Sequence, residues 1–411
     1  MSSKKPNSLI PGIMLVAGTA IGAGMFSIPI VSSGMWFSWS MLCLLAVWYV
    51  HYLAAMYLYE VNVRFDPGAS FDTIVKNVLG PLWNNLTGIS IAFLLYILLY
   101  AYYSAFGNIV SHTLDIDVDG NMWSQGALSL GFGLLLAAIV WKSTAAVGRI
   151  STILVVGMIL SFLISMSGFG LNIDAANLFD TNAGSASYHS YIWAAIPYLM
   201  TSFGFATVVP SLYKFYEYDN KKIKTSIFYG SLAPLIVYVL FIVVIFGNIS
   251  RDGFIPINAA GGNMGDLVGA LEQQTTSQWT NSALNIFSNF AIITSFLGVG
   301  LALFDYISDK FKFGETISGR FKSALIAFLP PGIASFFFPN GFIAAIGFAG
   351  LVVVFGYFIV PYLLVKKTRR SQNPGPFRVA GGNLLLTAFL LFSLLAGGCH
   401  ILAMVGFLAK W

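Results

Sequence analysis

Long apolar runs separated by short polar segments follow one another along the whole chain. A helix that crosses the ~30 Å hydrocarbon layer of a bilayer needs roughly 20 mostly apolar residues. Eleven segments meet this requirement, and they lie at about 9–31, 37–60, 84–112, 125–141, 147–170, 188–213, 225–249, 281–307, 323–338, 341–365 and 381–408. The pattern predicts an all-α integral membrane protein with eleven transmembrane helices.

The composition excludes several classes of protein. Of the 411 residues, 57% are hydrophobic and 9% are charged, whereas a soluble domain carries about 25% charged residues. A soluble domain, a disordered chain and a nucleic-acid-binding protein are therefore excluded. The two cysteines and four histidines show neither a disulfide framework nor the spacing of metal ligands. We expect no enzyme active site and no cofactor.

The positions of lysine and arginine predict the orientation. If the N-terminus is cytoplasmic, all 21 of these residues except Arg251 and Lys410 fall on the cytoplasmic side. Cytoplasmic loops of membrane proteins carry such an excess, so topology explains the basic runs without a lipid or nucleic-acid site. The C-terminus is then periplasmic, and residues 371–411 form a cytoplasmic linker and the eleventh helix.

Two of the predicted spans contain helix-breaking residues near their middle. The first reads GTAIGAGMFSIP (18–29), and the sixth reads PYLMTSFGFA (197–206) with Pro210 beyond it. Glycine and proline weaken a helix, and unwound backbone inside a membrane is tolerated only against protein or a water-filled cavity. The alternative is that these glycines only allow close helix packing, which Gly18-xxx-Gly22 also fits.

Broken spans at matching positions of two halves are typical of transporter binding sites. Five spans make each half, at about 9–170 and 188–365, so the second half enters the membrane from the opposite side. The sequence thus predicts a 5+5 inverted repeat within a core of residues 1–370, with discontinuous helices 1 and 6.

The backbone of such breaks suits a zwitterion. A half-helix that restarts at Ala23 and Gly24 offers free N–H groups and a positive dipole end to a carboxylate. Free carbonyl groups at Ala20, Leu199 and Met200 can accept hydrogen bonds from an ammonium group. An amino acid carries both charges and needs both half-sites.

The breaks and other segments resemble a known family. GTAIGAGMFSIP (18–29), SFDTI (70–74), GISIAF (88–93), SNFA (288–291), SFLG (295–298), FDY (304–306) and FPNGF (338–342) look like bacterial aromatic amino acid permeases, and most of all the tryptophan-specific ones. The first motif is similar to that of transporters with the leucine-transporter-like inverted-repeat fold. The resemblance implies a proton-coupled symporter in the bacterial inner membrane that imports tryptophan, with tyrosine, phenylalanine or indole as weaker alternatives.

The resemblance also implies residue roles. The amides of Ala23 and Gly24 would hold the carboxylate, the Ser202 hydroxyl would join the carbonyls around the amine, and Phe205 would line the side-chain pocket. The complete set of candidate residues at the two breaks is Thr19, Ala20, Gly22, Ala23, Gly24, Leu199, Met200, Ser202, Phe203, Gly204 and Phe205.

Four polar residues outside the breaks are further candidates. The Tyr100 hydroxyl could meet the ligand and Asn289 could accept an indole N–H, although both residue types also join packed helices. Glu60 and Asp305 end their spans and could pair with cytoplasmic lysine or arginine as gate latches, or carry a proton; otherwise they are interfacial.

The coupling ion has two candidates. In some proton-coupled relatives of this fold, a lysine in the fifth span replaces a sodium ion, but residues 150–169 contain no ionisable side chain. A sodium cage could form instead from the hydroxyls of Thr294 and Ser295 with the carbonyls of Gly18, Ile21 and Ala291. Alternatively, the two hydroxyls bond to their own helix. Proton coupling is favoured, with Glu60 or Asp305 as carrier. A channel is a distant alternative, because the site is shaped for a zwitterion rather than a continuous pore.

Overall fold

The structure is a computed structural model that describes residues 8–66, 69–113, 122–181, 187–217, 219–370, 375–409 and 411. These residues form helices and no β-strand, so the predicted all-α class is confirmed. In chain order the helices are α1 (Ile10–Ala20), α2 (Ser27–Ser32), α3 (Trp36–Asn62), α4 (Phe71–Leu79), α5 (Pro81–Thr113), α6 (Met122–Lys142), α7 (Thr144–Gly170), α8 (Ala175–Phe179), α9 (Ile192–Leu199), α10 (Val209–Phe215), α11 (Asn220–Asn248), α12 (Phe254–Ala259), α13 (Met264–Glu272), α14 (Gln278–Phe311), α15 (Ile317–Phe337), α16 (Phe342–Val353), α17 (Val360–Arg369) and α18 (Gly382–Met404).

The helices match most of the predicted spans. In the described part of the chain, eight helices are long and apolar enough to cross a membrane, where α16 and α17 count as one because a π-helical stretch (Val354–Ile359) joins them. The pair α1 and α2 forms a ninth, bent by 52°. The predicted spans at 188–213 and 323–338 fall on the interrupted pair α9–α10 and on α15, which do not meet both criteria. The number eleven and the inverted repeat stay predictions.

Apolar side chains lie on the outside of these helices as well as in the core. Leu135, Ile153 and Leu163 on the long helices are 63%, 72% and 58% exposed. A soluble protein seldom exposes contiguous apolar surface, whereas lipid covers it in a membrane. Inside the bundle, α14 packs along both α7 and α5, and α1 packs along α11.

Capping side chains lie at the start of several helices. Ser70, Ser143, Asp219, Ser277 and Thr316 each accept a hydrogen bond from a backbone N–H in the first turn of the helix that follows. These side chains satisfy amides that a helix leaves free at its start. The short helical segments after the two breaks have no such cap of their own, so their free groups need partners from elsewhere in the fold.

Candidate binding site at the two helix breaks

The first break lies between α1 and the 3₁₀ turn Ala23–Phe26 that leads into α2. Ile21 and Gly22 have extended backbone, so α1 ends at Ala20 and its last backbone hydrogen bond runs from the Ile21 N–H to the Ala17 carbonyl. Gly18 and Thr19 are exposed, and Ala20, Gly22 and Gly24 are half-buried. A Cβ atom added at Gly24 would have no atom of the described chain within 4 Å outside its own neighbours. The first break therefore borders open space.

A side chain from α14 caps the restarted helix. The backbone N–H of Ala23 donates to Ser295 Oγ at 2.9 Å. A Cβ atom at Gly22 would lie 2.6 Å from the same Oγ, so only glycine allows this approach. The Ala23 amide, a candidate for the ligand carboxylate, thus has a partner within the protein.

The second break begins where α9 ends at Leu199 and is enclosed by aromatic rings. His51 Nε2 of α3 lies 2.9 Å from the Met200 carbonyl oxygen. The His51 ring also lies 5.9 Å from Phe203 and 6.3 Å from Phe205, measured between ring centroids. All of these side chains are buried. The Met200 carbonyl therefore has a partner, and Phe205 packs on histidine.

One tyrosine joins the two breaks. The Tyr238 hydroxyl of α11 lies 2.7 Å from the Ala20 carbonyl oxygen and 2.8 Å from the Ser202 carbonyl oxygen. Tyr238 is 1% exposed, so its single hydroxyl proton is shared between two carbonyl groups away from solvent. The structure brings the candidates at 19–24 and 199–205 together through this contact. Sequence analysis did not identify Tyr238, although a lone hydroxyl within the apolar run LIVYVLFIVV (235–244) is a signal.

Two positions of the second break remain available for a ligand. The Ser202 hydroxyl is buried and has no hydrogen-bond partner among the described residues. A buried polar group without a partner is costly, so such a group usually has a function. At Gly204, an added Cβ atom would be in ordinary contact, 3.5 Å from the Tyr357 ring.

Tyr100 and Asn289 join neighbouring elements. The Tyr100 hydroxyl donates to the Phe338 carbonyl at 2.9 Å, and the Asn289 amide donates to Thr113 Oγ1 at 3.0 Å and to the Asn285 carbonyl at 2.8 Å. The Tyr100 hydroxyl and the Asn289 amide therefore have partners within the protein, as expected if these residues only join packed helices. A role in ligand binding stays a prediction for both.

A carboxyl group lies beside Asn285, outside the long helices. The side-chain amide of Asn285 donates to Glu272 Oε1 at 2.5 Å. Burial raises the pKa of Glu272 above its ordinary value, while the Asn285 hydrogen bond and nearby His112 act in the opposite direction. Glu272 thus belongs to the contact between α13 and α14.

The two hydroxyl candidates for ion coupling have hydrogen-bond partners within the protein. Thr294 Oγ1 donates to the Phe290 carbonyl at 2.7 Å and to the Ala291 carbonyl at 3.2 Å, both in its own helix. Asp305 is exposed. The described residues contain no group of three or more His, Cys, Asp or Glu side chains that could hold a metal ion.

Glu60 forms a buried ion pair. Its Oε1 and Oε2 accept from Arg369 Nε at 2.6 Å and Nη2 at 2.8 Å, and Oε2 also accepts from the Val379 amide at 2.8 Å. Glu60 is 1% exposed, and this bidentate geometry is that of a strong charge-assisted pair. The pair joins α3 to α17 and to the segment before α18.

A cavity of about 380 Å³ is lined by residues of α2 and α9, at the end of the molecule that the sequence analysis expects to face the periplasm. We call it the outer cavity. Its lining includes Ile30 on α2, Tyr198 on α9 and Ile343 on α16. It therefore opens along the two half-helices that lead to the breaks.

Comparison with known proteins is consistent with this geometry. The model of the tryptophan/tyrosine permease family matches residues 5–400. A tryptophan-specific transport protein of Pseudomonas aeruginosa is 43% identical over 100% of this chain and 98% of its own length. The corresponding values are 41%, 100% and 99% for a tryptophan-specific transport protein of Haemophilus influenzae, and 37%, 95% and 95% for a low affinity tryptophan permease of Escherichia coli. The resemblance found in the sequence motifs is confirmed, and the chain belongs to the tryptophan/tyrosine permease family.

Proposed function

We propose that this protein is a secondary active transporter that imports an aromatic amino acid, L-tryptophan first of all, by alternating access. The observation that carries the proposal is the pair of helix breaks that Tyr238 holds together, with open space at Gly24 and an unpartnered hydroxyl at Ser202. The relatives named for tryptophan transport support the substrate.

The two breaks would divide the recognition of the zwitterion. Ser295 already accepts from the Ala23 amide. The start of the 3₁₀ turn at Ala23–Phe26 would therefore present the Gly24 amide and a positive dipole end to the carboxylate, and Gly24 leaves room for it. The Ser202 hydroxyl and the carbonyls at the end of α9 face the amine. The Ser295 and Tyr238 contacts hold the backbone in this geometry before the ligand arrives, which reduces the entropy lost on binding.

Substrate identity is tested by uptake of labelled tryptophan into proteoliposomes, with each unlabelled amino acid as competitor. We expect strong competition by tryptophan, weaker competition by tyrosine, phenylalanine and indole, and none by serine or leucine. Equal competition by leucine would contradict an aromatic site.

Proton coupling is the first candidate for the driving force, and sodium coupling is the alternative. Support for the proton comes from the hydroxyls of the proposed sodium cage, because Thr294 bonds its own helix and Ser295 holds the Ala23 amide. Glu60 is the weaker of the two proposed proton carriers because Arg369 donates a hydrogen bond to each of its carboxylate oxygens. Asp305 is exposed, and the buried His51 lies beside the second break. These two residues are compared with Glu60 as proton carriers.

Two imposed gradients distinguish the ions. Uptake is measured with an inward pH gradient without sodium, and with an inward sodium gradient at equal pH, both at zero membrane potential. Accumulation only in the first case, reduced in Asp305→Asn, Glu60→Gln or His51→Gln, supports the proton. Accumulation only in the second case, reduced in Thr294→Val, supports sodium and contradicts our first candidate.

A further inference from the structure

Arg251 is a buried cation at the outer end of the molecule. It begins the turn Arg251–Gly253 after α11 and is 5% exposed. Its guanidinium carbon lies 3.7 Å from the centre of the Trp411 ring and 4.7 Å from that of the Tyr188 ring. The Tyr191 ring is farther, at 5.7 Å. The guanidinium thus lies among three aromatic rings.

The hydrogen bonds of Arg251 leave part of its charge uncompensated. Nη2 donates to the Gly34 carbonyl at 2.8 Å, and Nη1 lies 4.0 Å from the Asp180 carboxylate, which also accepts from the Tyr188 hydroxyl. Nε is buried and has no acceptor among the described residues. A desolvated cation in this position gains from contact with the face of an indole, the aromatic ring that attracts cations most strongly.

Trp411 covers this cation and also lines the outer cavity. Its ring meets Tyr191 edge to face, with centroids 5.4 Å apart. A Cβ atom at Gly34 would lie 2.7 Å from Trp411 Cβ, so the seat of Trp411 requires a glycine. The indole N–H is buried, and no acceptor for it lies in the described part of the chain. The seat therefore holds the indole ring of Trp411 and leaves the indole N–H without an acceptor among the described residues.

The neighbouring outer cavity has polar side chains in its lining, whereas the indole N–H of Trp411 has no acceptor among the described residues. Its lining includes Ser33 and Asn258, which hydrogen bond to each other at 3.1 Å, and the aromatic ring of Tyr198. Its volume of about 380 Å³ lies within the usual range for small-molecule sites. Free tryptophan has a carboxylate, which could reach the unpaired Arg251 Nε, and an indole N–H that is not restrained by the chain.

We propose that Arg251, Tyr188 and Tyr191 form an indole-binding site on the outer cavity, separate from the helix breaks, which Trp411 occupies in this conformation and which a free aromatic amino acid binds when Trp411 leaves. The proposal rests on the proposed function for the class of ligand. Trp411 then competes with the incoming ligand, and its removal exposes the site.

Equilibrium binding of labelled tryptophan to the full-length protein in lipid nanodiscs tests the proposal. A Gly24→Val background removes binding at the breaks, so the remaining signal reports the outer site. We expect Gly24→Val/Trp411→Ala to bind one tryptophan per chain, and Gly24→Val/Trp411→Phe to bind at least 10-fold more weakly because a ring still fills the seat. Absence of binding in the alanine variant, or equal binding in both, would overturn the proposal.

A further substitution tests the cation. Arg251→Lys keeps the charge and removes the planar stacking face. Added to the Gly24→Val/Trp411→Ala protein, it should weaken binding at least 10-fold, whereas unchanged affinity would overturn the site. Arg251→Gln gives a second measurement, and an unchanged melting temperature shows that each variant is folded. Undiminished tryptophan binding by Gly24→Val alone would instead contradict the proposed function. The difference in binding between the Trp411→Ala and Trp411→Phe variants would still test the outer site.

Discussion

The two helix breaks both contain glycine and hydroxyl residues but have different surroundings. The first break, at 20–24, is half-buried and borders open space at Gly24. The second break, at 200–205, is packed against His51 and buried phenylalanine rings. Tyr238 contacts both. The comparison teaches that an interrupted helix can serve either as an open ligand surface or as a packed joint.

The difference follows from the partners that each break receives. At the first break, α14 contributes the small hydroxyl of Ser295, which satisfies the Ala23 amide and leaves Gly24 uncovered by the described residues. At the second break, a histidine and large rings satisfy the backbone and fill the space. We therefore expect substitutions at the first break to affect the ligand, and substitution of His51, which packs against the second break, to affect stability.

The largest effect is expected for Gly24→Val. A side chain there meets no protein atom but enters the space assigned to the ligand, and a β-branched residue resists the turn. Tryptophan uptake should fall by roughly 100-fold or more, which corresponds to about 2.7 kcal/mol. Expression and melting temperature should stay near wild type. Gly24→Ala should reduce tryptophan uptake to an intermediate level. Uptake at the wild-type rate would show that the first break does not face the ligand.

Tyr238→Phe should have the next largest effect, because it removes the contact that both breaks share. Each carbonyl left without a donor in the interior costs about 1–3 kcal/mol. We expect a lower melting temperature and tryptophan binding that is roughly 10-fold weaker, measured on the purified protein. Tyr229→Phe is the matched control, since Tyr229 lies on the same helix and is 53% exposed. Equal results for the two variants would exclude the proposed connection.

Gly22→Ala tests the cap of the first break alone. The added Cβ atom would lie 2.6 Å from Ser295 Oγ, so the cap must move. Uptake should fall several-fold, and Gly22→Ala/Ser295→Ala should lose less than the two single variants added together. Such non-additivity is the mark of residues in direct contact. Strict additivity in this double-mutant cycle would argue against the clash.

His51→Gln should have the smallest effect on tryptophan binding. The variant weakens the contact with the Met200 carbonyl and the packing on Phe203, so unfolding should become easier by about 1–2 kcal/mol. Tryptophan affinity should change by less than about 3-fold, because His51 contacts the Met200 carbonyl and leaves the Ser202 hydroxyl assigned to the ligand unchanged. His189→Gln, at an exposed position, is the control. A larger loss of affinity than of stability would show that His51 itself takes part in ligand binding.

Much of the fold was predictable because its causes are local. Apolar runs of sufficient length become long helices in lipid, and glycine or proline within a run interrupts the helix wherever the chain is placed. The breaks after Ala20 and after Leu199 occur where the sequence contains these residues. The expectation that hydroxyl residues such as Thr294 bond their own helix was equally local and is met at that position.

The partners of the breaks were decided only by the tertiary structure. Ser295 lies 272 positions from Ala23, Tyr238 lies 218 from Ala20, and His51 lies 149 from Met200. A pattern along the chain indicates that unwound backbone needs hydrogen-bond partners, but it does not indicate which helix will supply them. That choice depends on how the helices pack, and packing leaves one break open and fills the other.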